Sequence, residues 1–226
     1  MLKHKGAFAV FALVLSFTFA AWAINVQVSR RDMKLATQQL IEKQSIDNPA
    51  AAGTNQVLNG SAGATSAAAA TVSTFAAQPD VPRNLVMTPG GTTTDVEACN
   101  VVISGTNIFG QAITETFAFS ANASTATTGT KAFNTVTSVA FPADCESGGF
   151  AATWSIGYGE KLGLKRCMDA AGHLAWSTVG GSYESTRATM AVDADEVEKN
   201  TADFNGTMNG SNDFEIFFLQ NFRCMP

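Results

Sequence analysis

Charge is scarce in this chain. Asp, Glu, Lys and Arg make up 15% of its 226 residues, against about 25% in an ordinary soluble domain. No basic stripe occurs and the net charge is −5, so nothing steers the protein towards nucleic acid. Histidine is limited to His4 and His173, which leaves little material for imidazole catalysis or metal ligation. The four cysteines, Cys99, Cys145, Cys167 and Cys224, are too far apart for a C-x-x-C zinc or redox pattern. No H-E-x-x-H, G-x-S-x-G or Walker sequence is present. What fills the space is Ala, Thr, Ser, Asn and Gly, a composition that makes a neutral, polar surface suited to packing against neighbours.

One strongly apolar stretch, "AFAVFALVLSFTFAAWAINVQVS" at residues 7–29, carries no charged side chain. Three readings fit it. Lys3 and Lys5, an apolar run and the small residues of "AWA" at 21–23 fit a secretory signal cleaved after Ala23. Residues 7–24 are also near the lower length limit for a membrane-spanning helix. The third reading is an apolar arm buried in an assembly. Phe8, Phe11, Phe17, Phe19 and Trp22 would supply its contacts. Ile24, Val26 and Val28, alternating with Asn25, Gln27 and Ser29, would continue it as a strand. These eight apolar residues are the candidate subunit contacts.

A short helix is expected over 30–47. Ser29 and Asp32 have capping-box spacing, Met33, Ala36 and Leu40 share a face, and Pro49 ends it. Residues 48–79 are rich in Ala, Ser, Thr and Gly, with too little bulk for a core. They read as a linker, or as a strap ordered by whatever it lies on.

Residues 80–226 read as strands. "CNVVISGT" (99–106) and "AITETFAF" (112–119) flank a glycine-containing turn and predict a hairpin. "NLVMT" (84–88), "TVTSVAF" (135–141), "TWSIGYG" (153–159), "HLAWSTV" (173–179), "ATMAVD" (188–193) and "DFEIFFLQNF" (213–222) supply the rest. The expected fold is mainly β: an antiparallel sandwich or barrel-like domain with an extended N-terminal arm and one short helix.

Four cysteines allow three pairings, and spacing does not choose among them. Export would favour one or two disulfides, and a cytoplasmic chain would use cysteine as a small buried hydrophobe. "GYGEKLG" (157–163) lacks the third glycine of a dinucleotide loop, since Leu162 stands there, and reads as a strand end and turn. "DADE" (193–196) lacks the spacing and central glycine of a calcium loop and reads as an acidic turn. Sequons at Asn59, Asn122, Asn205 and Asn209 matter only in a glycosylating pathway. No catalytic, cofactor or metal site emerges. An enzyme would need an unrecognised site around Asp193, Asp195 or His173.

Three pieces, "QPDVPRNL" (78–85), "SGTNIFGQAITETF" (104–117) and "TGTKAFNTVTSVAFP" (128–142), together resemble a β-rich module of structural proteins in tailed bacteriophages. "SIGYGEKLGL" (155–164) and the stretch from Ala188 to Phe218 fit the same likeness, which covers most of 76–219. The chain departs from the usual pattern at Cys99, where a glycine is expected, and in its apolar arm. The resemblance implies a virion component, most naturally a capsid cement or decoration protein. Its partners would be the major capsid protein or other virion subunits, and it would form a homo-oligomer, a trimer being natural at a threefold position. It carries over no active residues and no cofactor. The other expectations are a tail or head–tail connector protein, or a secreted or membrane-anchored bacterial β-sandwich that binds a ligand. In the latter the membrane is involved only if the N-terminal segment is an anchor.

Overall fold

Period-two alternation turns every second side chain towards a core, and it governs the long strands here. The computed structural model describes residues 41–61, 69–143, 145–147 and 151–219, all within one unit that begins at Ile41. The fold is mainly β, in antiparallel sheets that include a curled half-barrel. Sheet A runs in the order β1 (Ile41–Ile46), β14 (Phe214–Leu219), β10 (Leu174–Val179), β11 (Ser182–Tyr183). Sheet B runs β12 (Thr189–Ala191), β13 (Thr201–Asp203), β9 (Ala152–Gly163), β4 (Arg83–Gly91), β7 (Thr127–Thr128), and β2 (Leu58–Ser61) also pairs with β9. Sheet C runs β3 (Ala70–Val72), β8 (Thr135–Phe141), β5 (Cys99–Thr106), β6 (Ala112–Phe119).

Two cores result. In the first, Val101, Ile103 and Phe117 from sheet C pack with Leu85, Met87 and Trp154 from sheet B. In the second, Phe214, Ile216 and Phe218 from sheet A pack with Leu162, Leu164 and Ala202. The 12-residue β9 enters both, with Trp154, Ile156 and Tyr158 in one and Leu162 in the other. Each fully buried side chain of this size contributes about 1.5–3 kcal/mol.

The expected hairpin is present with eight paired residues on each strand, from Cys99↔Phe119 to Thr106↔Ala112. The helix expected over 30–47 is not found in its described part, because Ile41–Ile46 is a strand. Six consecutive pairings with β14 hold it there, and Gln44 and Ile46 turn inward. Tertiary pairing here overrides local helix propensity. Ser29, Asp32 and the rest of residues 1–40 lie outside the described residues.

The low-bulk segment that follows is bound to this chain's own sheets. Between Ile41 and Val72 it adds one strand to each sheet: β1 to sheet A, β2 to sheet B and β3 to sheet C. Gly53 and Val57 donate backbone hydrogen bonds to the Tyr158 and Ile156 carbonyls of β9. Phe75, with the nearby alanines, packs against the first core.

A disulfide joins Cys99, at the start of β5, to Cys145, 46 residues later. The backbone around it is also cross-linked: Glu97 N–H donates to the Cys145 carbonyl, and Val96 bridges to Glu146. Glu146 then accepts the indole N–H of the buried Trp154 at 2.9 Å, and Phe119 meets Trp154 edge-on at 4.9 Å. Cys167 is disulfide-bonded too, so no described cysteine is free. Closing a loop of this length stabilises the fold by about 4 kcal/mol in the chain-entropy treatment. A Cys99→Ser, Cys145→Ser double variant is therefore expected to lose a few kcal/mol of unfolding free energy, read by urea titration. An unchanged midpoint would contradict that role.

Candidate functional site

The motif residues are placed by an irregularity between β4 and β9. Arg83 pairs with Leu162, but Leu85 pairs with Tyr158, so β9 carries extra residues opposite Asn84. Such a bulge leaves ladder groups without partners. Here two β4 side chains supply them. The Arg83 guanidinium donates through Nε and Nη2 to the Gly159 carbonyl, at 2.9 and 2.6 Å. Asn84 accepts from the Lys161 N–H at 2.9 Å and donates to the Gly129 carbonyl at 2.9 Å. The remaining Arg83 nitrogen, Nη1, donates to the Ala50 carbonyl and to Asp80, both at 3.0 Å. Asp80 in turn accepts the Ala50 N–H at 2.6 Å. Arg83 is fully buried, with its guanidinium 5.0 Å from the centre of the Tyr158 ring. A buried charge survives only when its donors are satisfied, and this one is satisfied by the bulge, the strap and a carboxylate.

The bulge also explains the glycines of "GYGEKLG". A side chain at Gly157 would collide with the Gly53 carbonyl, and one at Gly159 with the Asn84 amide. The segment expected to end β9 in a turn instead continues it to Gly163.

The other motif pieces are similarly committed. Gln78 forms a two-way pair with the backbone of Val136. Asn107 accepts from the Phe109 and Gln111 N–H groups and so closes the β5–β6 turn. Glu115 accepts from the Thr130 and Lys131 N–H groups, at 2.5 and 3.2 Å, and holds the turn that leads to β8. Tyr158 donates its hydroxyl to the Gln78 carbonyl at 2.7 Å. Burial, and then the charge of Asp80, raise its phenol above the ordinary value, which keeps the proton on that bond.

The acidic "DADE" turn is organised by Asn200, which is fully buried and makes four hydrogen bonds. Its oxygen accepts from the Met168 and Asp193 N–H groups, and its nitrogen donates to the Asp193 and Glu196 carbonyls. Asp193 accepts from the N–H groups of Asp195 and Glu196. The Glu196 and then the Asp195 hydrogen bond, with Lys199 nearby, hold its carboxyl below the ordinary carboxylate range. An acid held ionised by structure is a poor proton acceptor. His173 lies on the Ala171–His173 turn, with Nδ1 3.4 Å from the Asp169 carboxylate. Among the described residues no group of three or more His, Cys, Asp or Glu side chains could hold a metal ion.

Among the described residues, a recess and a sheet face are two surface features that bear on a partner. A recess of about 450 Å³ lies between residues 52–54 and sheet B, with Asn84, Val86, Tyr158, Lys161 and Asp203 in its lining. Its Asn84 and Tyr158 polar groups are spent within the fold, which leaves Glu160, Lys161 and Asp203 as its charges, the last two paired across β9 and β13. The second feature is the outer face of sheet A. Tyr183 is 75% exposed and Ile41 49%. Between them Trp176 stacks on Phe217 at 4.8 Å and meets Tyr183 edge-on at 6.5 Å. Trp176 and Phe217 are half-buried, so Tyr183 and Ile41 are the exposed apolar groups of this face, and aromatic residues are enriched at contact surfaces.

The eight candidate contacts, Phe8, Phe11, Phe17, Phe19, Trp22, Ile24, Val26 and Val28, all lie outside the described residues. Among the described residues no helix is long and apolar enough to cross a membrane. Sequence reasoning missed Arg83 and Asn200 as organising residues. The one signal for Arg83 was a lone cation in the otherwise apolar run "VPRNLVM". No protein-family model, curated protein or solved structure matches the chain.

The Asp193 arrangement sets a pH dependence. Its folded value lies below the unfolded one, so its stabilisation is complete above about pH 4 and is lost as pH falls through the folded value. Asp193→Ala is expected to lower the melting temperature at pH 7 and to flatten its fall between pH 4 and pH 2. Parallel acid slopes for the variant and the parent would contradict this.

Proposed function

We propose that this protein is a structural component of a tailed-bacteriophage virion, most naturally a capsid cement or decoration protein that strengthens contacts between capsid subunits. One observation carries the reading: the residues that bear the phage likeness are consumed by architecture. Gln78, Asp80, Arg83, Asn84, Asn107 and Glu115 all spend their polar groups on backbone or on one another. A motif of that kind suits a module whose work is to hold shape and bind neighbours. Low charge and an aromatic sheet face suit close packing in a shell. The segments at 41–61 and 69–78 are bonded to the chain's own sheets, so the clamp that reaches a capsid neighbour is assigned to residues 1–40. Apolar surface buried by such an arm is worth about 25 cal/mol per Å². A tail or head–tail connector role differs from this reading in copy number per particle.

A second reading is a secreted or membrane-anchored β-sandwich binding protein. The Cys99–Cys145 disulfide favours it, because disulfides persist in oxidising compartments, and the signal-like start of the chain agrees. Intact mass tests the secreted form: a chain beginning at Ile24 belongs to it, and one beginning at Met1 or Leu2 leaves an assembly arm or an uncleaved anchor.

Deleting residues 1–29 is expected to abolish retention on purified particles while the far-UV spectrum of the β-domain is kept. Normal retention of the truncated protein would overturn the clamp.

A further inference from the structure

An antiparallel sheet that does not close has two edges, and each presents unpaired backbone N–H and C=O groups to any other strand. Proteins suppress such pairing with short edge strands or with charged side chains. The edges here are treated unequally. β11 and β7 have two residues, and β12 and β3 have three. β1 has six and carries Glu42 and Lys43. β6 has eight residues and is paired only with β5 among the described residues.

β6 carries no charge on its outward face. Glu115 is the single charged residue in the four strands of sheet C, and its carboxylate is turned to the 130–131 backbone. The outward residues of β6, Thr114, Thr116 and Ala118, are exposed, small and neutral. They lie opposite Ser104, Val102 and Asn100 of β5, which are equally uncharged.

We propose that β6 is a self-association edge, on which a second copy of this chain adds its own β6 antiparallel across a twofold axis. Charge selects that occupant. Two copies of this net-acidic chain, at −5, can meet here without opposing carboxylates, because the outward residues of β6 and of its neighbour β5 carry no charge. Side-chain parity selects the register. Two strands continue one sheet only if outward residues meet outward residues, so the twofold axis passes through an outward or an inward residue of β6. Centring on Glu115 would oppose two carboxylates. Centring on Thr116 sets Thr116 against its own copy, Thr114 against Ala118, and Glu115 against Phe117. The result is a dimer with a continuous eight-stranded sheet, a different symmetry from the trimer that the phage resemblance makes natural at a threefold position. It stands independently of the virion reading, since it concerns the isolated chain.

The test is sedimentation of the full chain and Thr116→Lys, with oxidative crosslinking of two cysteine variants. The parent is expected to sediment as a dimer. Thr116→Lys places two ammonium groups face to face and is expected to give a monomer with an unchanged far-UV spectrum. Thr116→Cys keeps the side chain small and is expected to give a covalent dimer under mild oxidation, with Thr137→Cys on β8 remaining uncrosslinked. A monomeric parent, or a Thr116→Lys variant that still dimerises, would overturn the proposal. So would a Thr116→Cys variant that crosslinks no better than Thr137→Cys.

Discussion

The buried guanidinium of Arg83 is the constraint on which the rest of the structure depends. It sits where β9 departs from its ladder with β4, and it supplies the hydrogen bonds that the departure removes. The same group holds the Ala50 carbonyl and the Asp80 carboxylate. One side chain thus ties an irregular strand to the segment that crosses it. Since β9 belongs to both hydrophobic cores, fixing β9 fixes their relation within the unit. Removing one partner from a buried charged cluster commonly costs about 3–5 kcal/mol, so the arrangement tolerates little change at Asp80, Arg83 or Gly159.

The second organising device is the segment from Ile41 to Val72. Its described parts, 41–61 and 69–72, bury few large side chains, Ile46, Val57 and Leu58 among them. They are held by strand pairing with three sheets, since backbone hydrogen bonds do not depend on side-chain bulk. The glycines of β9 give it room: Gly157 leaves space for the Gly53 carbonyl. Small residues on the strap and on β9 are two halves of one close approach. The exposed edge of β6 is the counterpart on sheet C, where no segment of the described chain has taken the place.

Much of the fold was legible because its strands are long and alternate cleanly. "CNVVISGT", "AITETFAF" and "TVTSVAF" coincide with β5, β6 and β8. Trp154, Ile156 and Tyr158, and likewise Phe214, Ile216 and Phe218, share buried faces, as period two requires. The failures have physical causes. Ile41–Ile46 carries no strong strand pattern and is a strand only because β14 is beside it. The strands β2 and β3 are too short to leave a periodic trace. "GYGEKLG" was misread as a turn because a bulge and a turn both recruit glycine. The polar hubs were hidden for other reasons: Arg83 acts through backbone groups distant in sequence, and Asn200 through the turn just before it and through Met168, in a pattern that matches no ligand motif.

The central claim is that Arg83 locks the strap to β9. Native-state hydrogen exchange tests it most directly, through the amides of Gly53, Val57 and Ala76, which donate to the Tyr158, Ile156 and Val57 carbonyls. In the parent protein these amides are predicted to exchange only through global unfolding, together with the core amides of β9. In Arg83→Met they are predicted to open first while the β9 amides stay protected. Rapid exchange of the three amides in the parent, or identical protection in the variant, would contradict the account.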